Sequence, residues 1–465
     1  MRHFYLFATF FFSCHVFSQE LLLSQYLPQS TRSALLIETI HGNETFSQNT
    51  NQFFPPASTA KLLTALSAKL ELGDNFSFST RLNTNQSDVV IHFSGDPELT
   101  YHDLLLLFKK YKETLGSKIK GNIWLDNSAF TGYQKAIGWP WDILGVCYSA
   151  PSTAITLDHN CVLGSIYTLN NGKTRVHTPE QFPIVVSSRV KVVSDEEQKH
   201  TLCELELTSD NENHYLLNGC ITKKASPLPL KFAVQNPELY ATRMVYKIIN
   251  NLNMKLGGQI YIGTPKHKSE KLIAEHLSPR LPSLLNKMLK KSDNLIANNL
   301  TKAMGKRFFI QPGSFANGTE AIKQILLTKA GIDLSSAQLV DGSGLSRNNR
   351  LTAHQVASVL KYILKHNKQL QILDLLPVAG KSGTLKYRSS MRDQAIVGRI
   401  KAKSGSLYGS HNMAGYGLDS DGNPKTIFVQ FITDYFPVQE GETSQKLHPL
   451  RNFETAFYKK IINTH

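Results

Sequence analysis

The chain has 465 residues, 41% of them hydrophobic and 19% charged. That balance excludes a disordered or collagen-like polymer and allows roughly two to four domains. The formal charge of +15 admits acidic partners such as nucleic acid, anionic lipid or cell-wall polymer. No apolar run reaches the roughly 18 residues of a membrane-spanning helix.

Met1-Arg2-His3 is a basic start, Phe4 to Phe12 is almost wholly apolar, and Val16-Phe17-Ser18 offers residues that a signal peptidase reads. Residues 1–18 are therefore expected to be a secretory signal peptide, sending the mature chain to the periplasm and away from nucleic acid. Phe11-Phe12-Ser13-Cys14 lacks the small aliphatic residue of a lipoprotein signal. Four cysteines remain after cleavage: Cys147, Cys161, Cys203 and Cys220. In an oxidising compartment an even number points to disulfides, and of the three connectivities the nearest-neighbour pairs, 147–161 and 203–220, are favoured. No Cys-x-x-Cys or neighbouring His pattern suggests zinc, and no metal or cofactor is expected.

Ser33 to Ile40 reads as a strand, followed by a turn at His41-Gly42-Asn43 and a weaker strand. Pro55-Pro56 halts the chain before a helix that begins at Ser58 and ends near Gly73. From about residue 80 to 270 short alternating segments read as mostly β, in one or two modules. Helices return at Leu284 to Met304, Gly318 to Ala330 and Ala353 to Lys365. Three strands close the chain: Ala395 to Ala402, Ser410 to Leu418 and Thr426 to Thr433, the last two joined by a turn around Asp421-Gly422.

Three motifs carry chemistry. In Ser58-x-x-Lys61 the positions i and i+3 share a helical face, so an amine can stand beside a hydroxyl. A serine becomes a nucleophile only when a base takes its proton, and lysine is such a base only when its pKa is lowered. The same spacing recurs at Ser117–Lys120, Ser188–Lys191 and Ser358–Lys361; the double proline and apolar helix single out Ser58. Ser292-Asp293-Asn294 supplies a hydroxyl to relay a proton and an amide to hold a substrate, although a helix N-cap would use the same residues. Ser209-Asp210-Asn211 is a polar-turn decoy. Lys403-Ser404-Gly405-Ser406 ends an edge strand, where a cation and a hydroxyl would grip a carboxylate and glycine admits another backbone. Lys381-Ser382-Gly383-Thr384 reads instead as a loop.

This ordered set is shared by penicillin-binding proteins and class A β-lactamases. The chain resembles the class C low-molecular-weight penicillin-binding proteins, the serine D-alanyl-D-alanine carboxypeptidase/endopeptidase family. Phe54-Pro55-Pro56-Ala57-Ser58-Thr59-Ala60-Lys61-Leu62, Gly95-Asp96-Pro97, Trp139-Pro140-Trp141, Asp158-His159-Asn160-Cys161, Asp341 to Arg347 and Asn412 to Tyr416 also match family landmarks.

The resemblance implies an α/β (α+β) transpeptidase-like domain, with an antiparallel sheet flanked by helices. It would be split into 19–80 and 271–465 by inserted, mostly-β modules at 81–270. The 234 residues between Ser58 and Ser292 agree with a large insertion. It further implies Ser58 as acylated nucleophile, Lys61 as base, Ser292 as proton relay, Asn294 as substrate ligand, and Lys403 with Ser404 as carboxylate site. Backbone N–H groups of Ser58 and Ser406 would form the oxyanion hole, with Gly405 between, and Asp158 and Arg347 would touch substrate. One departure is visible: Ser404 stands where the family usually has threonine, which should loosen its orientation. Peptidoglycan peptides and β-lactams are the implied partners, with at most loose membrane association; a homodimer is left open. The rival readings are a serine β-lactamase and a non-catalytic cell-wall binding protein.

Overall fold

A computed structural model describes residues 25–266, 269–436 and 449–464; the signal-peptide segment lies outside them. A five-stranded antiparallel sheet runs in the order Ile400–Leu407, Ser410–Leu418, Pro424–Thr433, Arg32–Thr39, Glu44–Gln48. The middle of Arg32–Thr39 is buried on both faces, which is why Ala34 to Ile37 is an unbroken apolar run. Ala34 and Leu36 pack with the helices on one face, while Leu35 and Ile37 join Phe428, Phe457 and Ile461 on the other. The C-terminal helix Pro449–Asn463 covers that second face. Lys459 and Lys460 thus belong to a helix packed on the sheet, and no helix among the described residues is long and apolar enough to cross a membrane.

On the first face the helix Lys61–Glu71 lies among Leu281–Lys291, Asn294–Phe309, Phe315–Ala330 and Ala353–Lys365. Its residues Leu62, Leu63, Ala65 and Leu66 are fully buried with Leu284, Ile296, Leu300, Val356 and Leu360. Burial of this many aliphatic side chains, at about 1.5–3 kcal/mol each, fixes the helix that carries Lys61.

The long helix read from Leu284 to Met304 is two helices. Ser292 adopts the left-handed conformation (φ 60°) and ends the first, and Asp293 caps the second by accepting from Ile296 N. Ser292 is therefore a C-cap residue, not the N-cap that its sequence neighbourhood equally allowed.

Between Ser79 and Leu277 stands a second five-stranded sheet, in the order Ile260–Ile262, Ile123–Asp126, Asp88–His92, Ser79–Asn85, Glu270–Leu277. Ser79–Asn85 and Glu270–Leu277 pair with each other, so a boundary drawn at 80/81 or 270/271 falls within or at the end of a paired strand. Smaller sheets follow it. The sequence reading placed no helix here, yet Tyr101–Leu115 and Pro237–Asn251 pack against this β-structure, burying Leu104, Phe108, Tyr240 and Val245. Cys147 pairs with Cys161 and Cys203 with Cys220, at Cα separations of 5.3 and 5.8 Å.

Candidate active site

Ser58 sits in a short 3-10 turn, Ala57–Ala60, that runs into the helix Lys61–Glu71. The i, i+3 spacing brings Lys61 Nζ to 2.9 Å from Ser58 Oγ. Nζ also donates to Asn294 Oδ1 and to the carbonyl of Ser343, both at 2.6 Å. Those two acceptors orient two N–H bonds and leave the third position of the amine facing the serine. Burial drives the Lys61 pKa down to about 7, against the opposing charges of Asp341 and Asp293. Near neutral pH a large fraction is therefore free amine, whose lone pair faces the Ser58 hydroxyl. That is the arrangement a general base requires.

Lys403 Nζ donates to Ser292 Oγ at 2.9 Å and to the Ser404 carbonyl at 2.7 Å. Complete burial, with the Lys61 charge second, pushes its pKa well below the ordinary lysine value. Two amines in one dry cleft disfavour each other's protonation.

The edge strand lies against the turn that carries Ser58. A Cβ placed on Gly405 would stand 2.9 Å from Ser58 N and from Pro56 O, so only glycine permits that approach. Gly344 plays the same part behind the turn: its φ is +79°, and a Cβ there would stand 1.8 Å from Ala57 O. Ser406 is the next residue of the edge strand, paired with His411. Ser404 Oγ is 2.7 Å from Thr384 Oγ1. The Lys381–Thr384 segment is the loop expected of it, and it nonetheless supplies the hydroxyl that orients Ser404.

Five of the expected residues, Ser58, Lys61, Ser292, Asn294 and Lys403, thus meet in one cleft. Asp158 does not join these contacts. Its carboxylate accepts from Tyr101 N at 2.8 Å and Tyr240 Oη at 2.9 Å, so it fastens two helices of the inserted segment. Arg347 is exposed, its guanidinium 5.8 Å from the Tyr408 ring, beside a cavity of about 410 Å³ shared with Pro55, Leu407 and Tyr408.

Sequence reasoning missed several supporting groups. Ser343 contributes only its backbone carbonyl, for which no side-chain pattern exists. Asn298 Oδ1 holds Ser343 N, and Asp341 receives Trp139 Nε1, Gly344 N and Ser346 N. Tyr148 accepts Asn294 Nδ2 on its carbonyl at 2.7 Å. Asp341, Ser343 and Trp139 lay inside segments already singled out as landmarks; only their roles were unread.

Comparison with known proteins places this geometry. Residues 19–456 match the model of the D-Ala-D-Ala carboxypeptidase 3 (S13) family. The D-alanyl-D-alanine carboxypeptidase DacB of Haemophilus influenzae is 35% identical over 450 residues, covering 94% of this chain and 93% of that protein. A D-alanyl-D-alanine carboxypeptidase of an Actinomadura species is 25% identical over 416 residues, covering 84% and 76%. The crystal structure of penicillin-binding protein 4 from H. influenzae superposes with a TM-score of 0.87 at 34% identity, covering 96% of this chain and 99% of that one. The same protein complexed with a β-lactam gives 0.82. The chain belongs to the D-Ala-D-Ala carboxypeptidase 3 (S13) family.

Proposed function

We propose that the protein is a serine DD-peptidase of the periplasm, cleaving the D-Ala-D-Ala bond of peptidoglycan stem peptides through an acyl-Ser58 intermediate. On the same chemistry it would act on D-Ala cross-links and be acylated by β-lactams. The observation that carries this reading is the contact chain Ser58–Lys61–Asn294, with Ser292–Lys403 beside it.

The mechanism follows from the geometry. Neutral Lys61 takes the Ser58 proton as Oγ attacks the carbonyl of the penultimate D-Ala. The resulting oxyanion would face the backbone N–H groups of Ser58 and Ser406, the latter one residue along the strand from Gly405, which lies against Ser58 N. Ser292, fixed by Lys403, gives its hydroxyl proton to the departing amine and receives in its place the proton that Lys61 took from Ser58, which leaves Lys61 a free amine again; the D-Ala carboxylate lies against Lys403 and Ser404. Asn294 would hold the substrate amide through the Nδ2 hydrogen that the Tyr148 carbonyl does not take. Water then hydrolyses the ester, with Lys61 again as base. The halves 19–80 and 271–465 act as one catalytic unit in this reading, with 81–270 inserted between Ser58 and Ser292.

Labelling with a fluorescent penicillin tests it. The mature chain should take up one label that maps to Ser58 and release D-Ala from a pentapeptide, and Ser58→Ala should lose both. Labelling that persists in Ser58→Ala removes the assignment. Rapid turnover of the drug without peptide cleavage would favour a β-lactamase instead.

A further inference from the structure

Behind Ser292 and Asn294 stands a histidine that the mechanism above does not use. Asp158, His159 and Asn160 hold φ values of 51°, 61° and 46°, a left-handed run that side chains rarely adopt. It delivers His159 from the inserted segment to the catalytic one, with Nε2 3.0 Å from Asp293 Oδ2. The other ring nitrogen, Nδ1, is 2.9 Å from the carbonyl oxygen of Pro97.

Both partners are acceptors only. A carbonyl has no proton to give, so Nδ1 carries one; an ionised carboxylate has none either, so Nε2 carries the other. The ring is then an imidazolium. The groups around it agree. Glu98 Oε1 lies 3.9 Å from Nδ1, with Lys287 bonded to the other oxygen of Glu98. Lys61 stands beyond Asp293, near enough for the two charges to act on each other. Burial opposes the charge on His159, but the bond and charge of Asp293 outweigh it and raise the pKa above the ordinary histidine value. Burial likewise opposes the Asp293 carboxylate, and the bond from His159 holds its pKa below the usual range.

We propose that His159 is a positioning residue for acylation: its imidazolium fixes Asp293, and through Asp293 it sets both the orientation of Asn294 and the basicity of Lys61. The proposal rests on the DD-peptidase reading. Asp293 Oδ1 accepts Ile296 N at 3.0 Å and so caps the helix whose first residue is Asn294. Asn294 in turn orients Lys61. Should the ring lose a proton, it would be the one facing the Pro97 carbonyl; Nε2–H stays on Asp293, but the positive charge is gone. The carboxylate would then act on Lys61 with its full negative charge. More negative charge beside Lys61 favours the ammonium, which is not a base, so acylation slows. Two ionisations then bound the rate: Lys61 gives the acid limb and His159 the alkaline limb.

The test joins an imidazole measurement to a rate measurement on the full mature chain. With ¹⁵N-histidine labelling, the resonances lost in His159→Gln should report two N–H groups at pH about 7. Acylation by benzylpenicillin should slow about tenfold in His159→Gln and lose its alkaline limb, whereas His159→Arg, which keeps a charged donor, restores most of the rate and extends it to higher pH. A single N–H at neutral pH overturns the proposal. So do Gln and Arg variants slowed equally with the limb unchanged, which is what a packing role would give. A wild-type chain that penicillin never acylates would count against the DD-peptidase reading instead, and the imidazole resonances would still decide the charge of His159.

Discussion

Two buried lysines invite comparison. Lys61 and Lys302 are almost completely excluded from water, and burial brings each amine down to about 7. Lys61 touches a hydroxyl, an amide oxygen and a carbonyl. Lys302, on the helix Asn294–Phe309, donates to the carbonyls of Tyr133 and Ser152 at 2.8 Å each and lies 4.5 Å from the Phe315 ring. Neither carbonyl has a proton to lose. A lowered amine pKa is thus common to both sites, and chemistry follows from the one contact that can be deprotonated. Lys302 is a clamp between the inserted segment and the helices around Lys61; Lys61 is placed beside a hydroxyl, as the proposed base must be.

That contrast can be broken from either side. Ser292→Ala should lower acylation about a hundredfold by removing the relay hydroxyl beside Lys403, measured as penicillin acylation rate per folded molecule. A loss below threefold would leave Lys403 without its proposed partner in proton transfer. Lys302→Met should do the opposite. It leaves the buried Ser152 carbonyl and the part-buried Tyr133 carbonyl without this donor and costs about 2 kcal/mol in denaturant unfolding, with acylation per folded molecule within about twofold of wild type. A large catalytic loss at unchanged stability would dissolve the distinction drawn here.

The smallest effect concerns the inserted sheet. His92 lies 2.6 Å from Asp126 and 2.5 Å from Glu270, and the Asp126 bond, against burial and with help from Glu270, raises its pKa. A raised histidine contributes stability that is complete below the unfolded value of about 6.5 and fades as pH climbs through the folded value. The side chains are partly exposed, so solvent screens the pair in part. Thermal scans should show a decline of about 2 °C across that window, absent in His92→Gln. A decline of equal size in the variant would assign it to another group.

How far the sequence led depended on whether a role needs a side chain. Ser58, Lys61, Ser292, Asn294 and Lys403 could be expected together because acyl transfer calls for a nucleophile, a base, a relay and a cation, and the structure does bring them together. Ser343 acts through a carbonyl and Tyr148 through another, and a backbone atom leaves no signature in composition or spacing. The break at Ser292 was missed because no glycine or proline marks it. Lys290 and Lys291 in a last turn, followed by Asp293 as a cap, were the signals to read. Tyr101–Leu115 was overlooked although Thr100 and Asp103 form a capping box at its start. Asp158 was expected at the site only through the family resemblance; the residue that reaches Asp293 is its neighbour His159.

The central claim is that free-base Lys61 activates Ser58, and the pH dependence of penicillin acylation in wild type and Lys61→Ala tests it most directly. From about pH 5 up to the onset of the alkaline limb the wild-type rate should rise with one deprotonation near neutrality, and Lys61→Ala should lose that acid limb together with a factor of about a thousand in rate. A Lys61→Ala chain acylated at the wild-type rate with the same acid limb would contradict it.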